Sequence, residues 1–286
     1  MGSSRLRAGV SEAARFTAMM TRPLQRLGGS AVALSIATVV SPPAAVAQTA
    51  SRPALVAVFA HPDDEIAVGP LLARYAREGA DVRVVFATNG EKGTRITAIP
   101  AGDALGRARA LEAACSAQRL GIKPPILLNL GDGVLAVPAN LRRLEAETAR
   151  VLKELQPRSV VTWGAEGLDG HPDHRIVGAV VTEIVQGWTG GEPPPLYYPG
   201  FPPDRTAAVP DSPFARTPTL DRFLTVRIPF EPRDVDAAQS AFDCHESQYT
   251  REERDRSRPR MNQLRDGYVY LRPAFAHEAP RSDLFR

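Results

Sequence analysis

Two short stretches of this 286-residue chain bring imidazole and carboxylate side chains together at a density that chemistry can use. His61-Pro62-Asp63-Asp64-Glu65 sets one histidine beside three acids, and His171-Pro172-Asp173-His174 sets two histidines around an aspartate. Three of the five histidines therefore fall in two loops about 110 residues apart. Imidazole and carboxylate ligands suit zinc, and a catalytic zinc keeps three protein ligands and one open position. Two histidines with one carboxylate meet that count. Taken alone, each stretch also has a plain reading. Acids at a helix start are favoured by the helix dipole, and a lone H-P-D-H reads as a loop with a capping aspartate. Only elements that bring both stretches to one place make them a metal site.

The pattern around them supplies such elements. Ala54–Ala60 is an unbroken apolar run, as in a strand buried on both faces. Further strands are expected at Asp81–Thr88, Pro125–Leu130 and Ser159–Trp163, and helices at Ile66–Glu78, Ala104–Leu120, Ala139–Leu155 and Ile176–Gln186. Strands alternating with helices predict a Rossmann-like α/β fold, a mostly parallel sheet with helices on both faces. Its active site belongs at the carboxyl ends of the strands. The first cluster follows the first strand and the second follows the fourth. Residues 187–221 are rich in proline and glycine and read as a rim to the site, with a brief strand at Leu196–Tyr198. Phe223–Ile228 and Tyr268–Leu271 read as late strands, with a helix over Val235–Tyr249 between them.

Ala60-His61-Pro62-Asp63-Asp64-Glu65, Thr88-Asn89-Gly90-Glu91-Lys92-Gly93 and His171-Pro172-Asp173-His174 resemble, in order and spacing, the signature series of the PIG-L/LmbE-like deacetylases. Arg109-Ala110-Leu111-Glu112, Leu120-Gly121 and Gly131-Asp132-Gly133 fit the same series, and His245-Glu246-Ser247-Gln248 is a fainter echo of it. The resemblance covers roughly residues 54–186. It implies one zinc ion held by His61, Asp64 and His174, with Asp63 as general base. It implies that His171, charged, stabilises the oxyanion or protonates the leaving amine. Arg95 stands where the family presents a cation to its substrate, though a solvated loop arginine fits as well. Asp173 caps or orients a histidine, and His245 lines the site or is simply buried. His277 has no evident partner, and Trp163 and Trp188 read as core or rim. The implied activity is removal of an N-acetyl group from an N-acetylglucosamine-type sugar or glycoconjugate. The rivals are an amidase taking a larger acyl group and a non-catalytic carbohydrate- or metal-binding protein.

Composition removes other classes. Before residue 48 lie five arginines and one glutamate, and the rest of the chain carries 30 basic against 31 acidic side chains. The basic isoelectric point of 9.1 thus comes from the leader, and the body offers no electrostatic reason to bind nucleic acid. Arg22, Arg26, the apolar run Ala31–Val40 and Ala45-Val46-Ala47 read as an export signal over residues 20–47, cleaved before Gln48. That run is too short for a membrane span. Residues 1–19 read as an extension and 48–286 as a single deacetylase domain, periplasmic or extracellular. Cys115 and Cys244 could pair there, or remain separate thiols.

Overall fold

The computed structural model describes residues 52–209 and 217–275. The expected extension and export signal, His277 and residues 210–216 of the expected rim lie outside them. Strand β1 (Ala54–Phe59) leads into a 3-10 turn (Asp64–Val68) and helix α1 (Gly69–Arg77). Then follow β2 (Asp81–Thr88), α2 (Asp103–Leu120), β3 (Ile126–Leu130), α3 (Pro138–Leu155) and β4 (Ser159–Val161). A one-turn helix α4 (Gly167–Gly170) precedes α5 (Pro172–Gln186), β5 (Leu196–Pro199) and the short α6 (Pro203–Ala207). Strand β6 (Val226–Pro229), α7 (Pro232–Phe242), α8 (Arg251–Arg265) and β7 (Tyr268–Pro273) complete the described chain.

The seven strands form one sheet in the order β3-β2-β1-β4-β5-β7-β6. Strands β1 to β5 run parallel to one another, and β7 pairs antiparallel with both β5 and β6 at the far side. This is the expected mostly parallel α/β sheet. Alternate residues of β1 feed two cores, which is why its sequence is apolar throughout. Leu55, Ala57 and Phe59 pack with α1, α2, α7 and α8 on one face. Val56, Val58 and Ala60 pack with α3 and α5 on the other. Sequence order reverses direction between β1 and β4, which makes their carboxyl ends the crevice where such sheets bind ligands.

Three elements depart from the sequence reading. The helix expected over Ile66–Glu78 is a 3-10 turn followed by α1, with Pro70 in its first turn. The helix expected over Val235–Tyr249 is α7, which starts at a capping box of Glu231 and Asp234 and ends at Phe242. Helix α8 was not expected at all, because its run of charged residues has no apolar period to read. A capping box of Thr250 and Glu253 starts it, and buried Met261 and Leu264 anchor its later turns. The proline-rich segment is also more than a rim, since β5 within it lies inside the sheet between β4 and β7. Cys115 of α2 and Cys244, just past α7, are disulfide-bonded.

Candidate active site

The first cluster turns sharply out of the end of β1. Asp64 Oδ2 accepts the amides of Ala60 and His61, both at 2.9 Å, which folds the carboxylate back under the strand end. The turn places Asp63 at φ 108°, a conformation that non-glycine residues rarely adopt. Strand β2 and helix α2 hold this turn from one side. Thr88 Oγ1 donates to the Ala60 carbonyl at 3.0 Å, and Arg109 donates to the carbonyls of Pro62 and Gly90. The Arg109 guanidinium also meets Asp63 Oδ1 at 3.1 Å. Gly90 permits this approach: its φ is 62°, and a Cβ there would lie 2.0 Å from the guanidinium.

The second cluster is seated by the loop after β4 and the start of α5. His174 stacks on buried Trp163 with ring centroids 4.9 Å apart, and its Nδ1 lies 3.0 Å from the Gly167 carbonyl and 3.1 Å from Asp169 Oδ1. Those contacts leave Nε2 to face Asp64 Oδ1 at 3.1 Å. Gly178 lets α5 come this close, because a Cβ there would strike the Trp163 carbonyl at 2.3 Å. His171 is the N-cap of α5, and its Nδ1 accepts the Asp173 amide at 3.1 Å. A ring nitrogen that accepts carries no proton, so the donor His171 offers is Nε2–H of the neutral ring. No charge on His171 is needed for that hydrogen bond.

Folding therefore joins the clusters. The ring centroids of His61, His171 and His174 lie 4.8–5.4 Å apart, and His61 Nδ1 is 3.8 Å from Asp64 Oδ2. His61, His171 and His174 each offer a ligand atom within 4.8 Å of the others, as do His61, Asp132 and Asp173. A divalent cation fits this set. His61 Nε2 is buried without a hydrogen-bond partner, although Asp132 Oδ1 and Asp173 Oδ2 lie 3.2 and 3.4 Å away. Such an orphaned nitrogen among carboxylates is what a site shaped for a cation presents.

Charge in the crevice tells the same story. Burial disfavours a charged His61, yet Asp132, Asp173 and Asp64 outweigh it and lift the ring to about 9. Burial likewise opposes a charged His174, and Asp64 and Asp169 raise it to about 11. The crevice thus holds more negative charge than its histidines neutralise at neutral pH, and it draws in protons where a metal would serve. Asp63 differs from its neighbour. Burial, with Asp64 beside it, outweighs Arg109 and pushes its carboxyl above the usual range, whereas the two histidines pull Asp64 below it. Burial and the repulsion of His61 and His174 depress His171.

Residues 56–185, which carry all of these groups, match the model of the PIG-L family, GlcNAc-PI de-N-acetylase. The matched stretch runs from β1 to α5. The 1D-myo-inositol 2-acetamido-2-deoxy-alpha-D-glucopyranoside deacetylase of Rhodococcus erythropolis is 38% identical over 160 residues, covering 48% of this chain and 54% of its own. The chain spans about half the length of the curated relatives it matches. Among solved structures, the N,N'-diacetylchitobiose deacetylase of Pyrococcus horikoshii aligns with a TM-score of 0.56 at 20% identity, covering 77% of this chain and 82% of that one. The 4-carboxy-2-hydroxymuconate hydratase of Pseudomonas putida aligns with a TM-score of 0.52 at 18% identity, covering 81% and 100%. At such identities the likeness is one of fold, and this fold hosts more than one reaction.

The matched stretch gathers His61, Asp63, Asp64, His171, Asp173 and His174 at one crevice. Asp173 has a double role, since its amide is accepted by His171 while its carboxylate faces His61 and accepts the Gly133 amide at 2.7 Å. Arg95 is placed differently from a free substrate cation. It is exposed and paired with Glu253 at 2.7 Å, and it donates to the Gln248 carbonyl at 2.8 Å. A substrate group would have to share it with Glu253. Trp163 is core, as read. Three contributors went unassigned in the sequence. Asp132 was visible only as part of Gly131-Asp132-Gly133, with no role attached. Glu65 was one acid among three, and its bonds to Ser116 and His245 are long-range. Tyr249, whose hydroxyl reaches Asp63, lies beyond the matched stretch in a segment read as helix.

Proposed function

We propose that this chain is a zinc-dependent hydrolase that removes the acetyl group from an N-acetylglucosamine-type sugar or glycoconjugate, yielding acetate and a free amine. The observation that carries this reading is Asp63. It is a carboxylate paired with Arg109 at 3.1 Å and set beside a histidine–aspartate cluster that fits a metal, at the switch point of the sheet. His61, Asp64 and His174 would hold the zinc. Bound zinc supplies polarisation of the acetamide carbonyl and makes water acidic near neutral pH. Asp63 takes the proton of the attacking water, and Arg109 holds its Oδ1. His171, with Nδ1 committed to the cap of α5, donates from Nε2 to the developing oxyanion or returns a proton to the amine. Asp132 and Asp173 lie beside His61 Nε2 and add negative charge that favours a cation there.

The substrate class is supported by the Rhodococcus relative, whose substrate is an acetamido sugar on inositol. Export is supported by the cysteine pair, because disulfides persist in oxidising compartments. Among the described residues no helix is long and apolar enough to cross a membrane. The test is metal analysis together with acetate release from N-acetylglucosaminyl-inositol, N,N'-diacetylchitobiose and N-acetylglucosamine. The expected result is about one zinc per chain and acetate release that falls by ~10²–10⁴-fold in Asp63→Ala. Protein that binds no divalent metal would overturn the reading, and so would an Asp63→Ala variant as fast as the wild type.

A further inference from the structure

Directly beneath the crevice, Glu65 is 2% exposed and each of its oxygens is engaged. Oε2 accepts the Asp63 amide at 3.0 Å. Oε1 accepts Ser116 Oγ from α2 and His245 Nε2, the latter at 2.7 Å. Both donors are themselves buried, at 1% and 0% exposure, and His245 Nδ1 has no partner. The hydrogen bonding of the imidazole is therefore spent on Glu65. The amide that Glu65 holds belongs to the residue at φ 108°, where an aspartate does not rest by local preference. A conformation of that kind persists only when its surroundings over-determine it. The two donors are also joined covalently through their chain neighbours. Ser116 follows Cys115 and His245 follows Cys244, and those cysteines form the disulfide with Cα atoms 5.9 Å apart.

We propose that Glu65 is the positioning residue for Asp63, set by Ser116 and His245, with the Cys115–Cys244 disulfide as the clasp that keeps both donors on it. Glu65 touches neither substrate nor metal. It fixes the main chain of Asp63, and the carboxylate of Asp63 is thereby aimed. The assembly reaches outside the matched stretch, because Cys244 and His245 lie beyond residue 185. It follows that reduction of the disulfide loosens the base before it loosens the sheet. The role of Asp63 as base rests on the deacetylase reading; the hold on its main chain does not.

The test compares His245→Leu, which removes the donor, with His245→Gln, whose amide nitrogen can replace Nε2. Ser116→Ala serves as a milder second variant should His245→Leu fail to fold, and Cys115→Ser with Cys244→Ser opens the clasp. Amide hydrogen exchange of the peptide covering residues 60–68 is read in metal-free protein, alongside zinc affinity by chelator competition. In His245→Leu, Ser116→Ala and the cysteine variant, exchange in that peptide is expected to rise by about tenfold, with β1 to β4 still protected. In His245→Leu, kcat is expected to fall by about 10- to 100-fold, with KM and zinc affinity within about threefold of wild type. His245→Gln should recover most of both losses. Unchanged exchange at 60–68 overturns the proposal, as does exchange that rises equally across the sheet, or zinc affinity that falls in step with kcat. If the wild type releases no acetate from any substrate, the deacetylase reading fails, and the exchange data still decide the positioning.

Discussion

Asp63 and Asp64 are adjacent in sequence and opposite in character. Two backbone amides and two histidines surround Asp64 and keep it ionised, which suits a metal ligand. Asp63 has burial against it and Arg109 for it, and burial prevails, which suits a group that must accept a proton. The left-handed turn at Asp63 aims the two carboxylates apart. Two substitutions separate the roles. Asp63→Asn should retain zinc while kcat falls by ~10²-fold or more, measured with metal content on the same sample. Asp64→Ala should lose the metal itself, and equilibrium dialysis against zinc checks it. His171→Gln keeps a side-chain donor and should cost kcat less than His171→Ala, with KM little changed in either.

Helices α1 and α7 meet through one buried acid. Asp234, 2% exposed, completes the α7 cap by accepting the Glu231 amide at 2.9 Å and forms a two-pronged pair with Arg77 of α1 at 2.9 and 3.0 Å. Burial raises its carboxyl, but Arg77 and the cap outweigh that and hold it below the usual range. A carboxyl with a depressed folded pKa stabilises the fold above its unfolded pKa near ~4, and the contribution fades as pH falls through the folded value. Asp234→Asn should therefore lower Tm by about 3–6 °C at pH 7, from about 1–2 kcal/mol of charge-assisted hydrogen bonding. The gap between variant and wild type should close in thermal melts below about pH 3. Helix α7 carries Ala238 against Gly69 at the start of α1, so a loosened α7 is felt next to the catalytic turn.

Across the whole molecule, the sheet order fixes where chemistry can occur, and the disulfide ties the two halves of the sequence together. Cys115 and Cys244 are separated by 129 positions, and in the chain-entropy view closing so long a loop in the unfolded state stabilises the fold by about 5 kcal/mol. Replacing both cysteines by serine should reduce the urea midpoint and raise the m-value as the unfolded chain expands, and a reductant should do the same to the wild type but not to the variant. The part of the chain beyond α5 contributes Cys244, His245, Tyr249 and the buried Arg265, which donates to the carbonyls of Ile66 and Ala67 behind the turn. The site is thus completed by residues outside the matched stretch.

The parallel sheet, its two helical layers and the two histidine–aspartate loops were legible in the sequence because each rests on local rules. Apolar runs mark buried strands, amphipathic periods mark helices, and His61, Asp64 and His174 carry their chemistry in their side-chain types. Helix α8 was not legible, since a charged surface helix held by a cap and a few anchors has no period to display. Nor was the pairing of Glu65 with His245, 180 positions apart, or the place of Asp132 beside His61. Those contacts depend on which strand ends and helices the fold brings together, and spacing along a chain does not encode proximity in space. The sequence by itself singled out the residues proposed as ligands and base. Only the tertiary structure decided how the base is aimed, which histidine nitrogen is left to donate, and that a disulfide clasps the support beneath them.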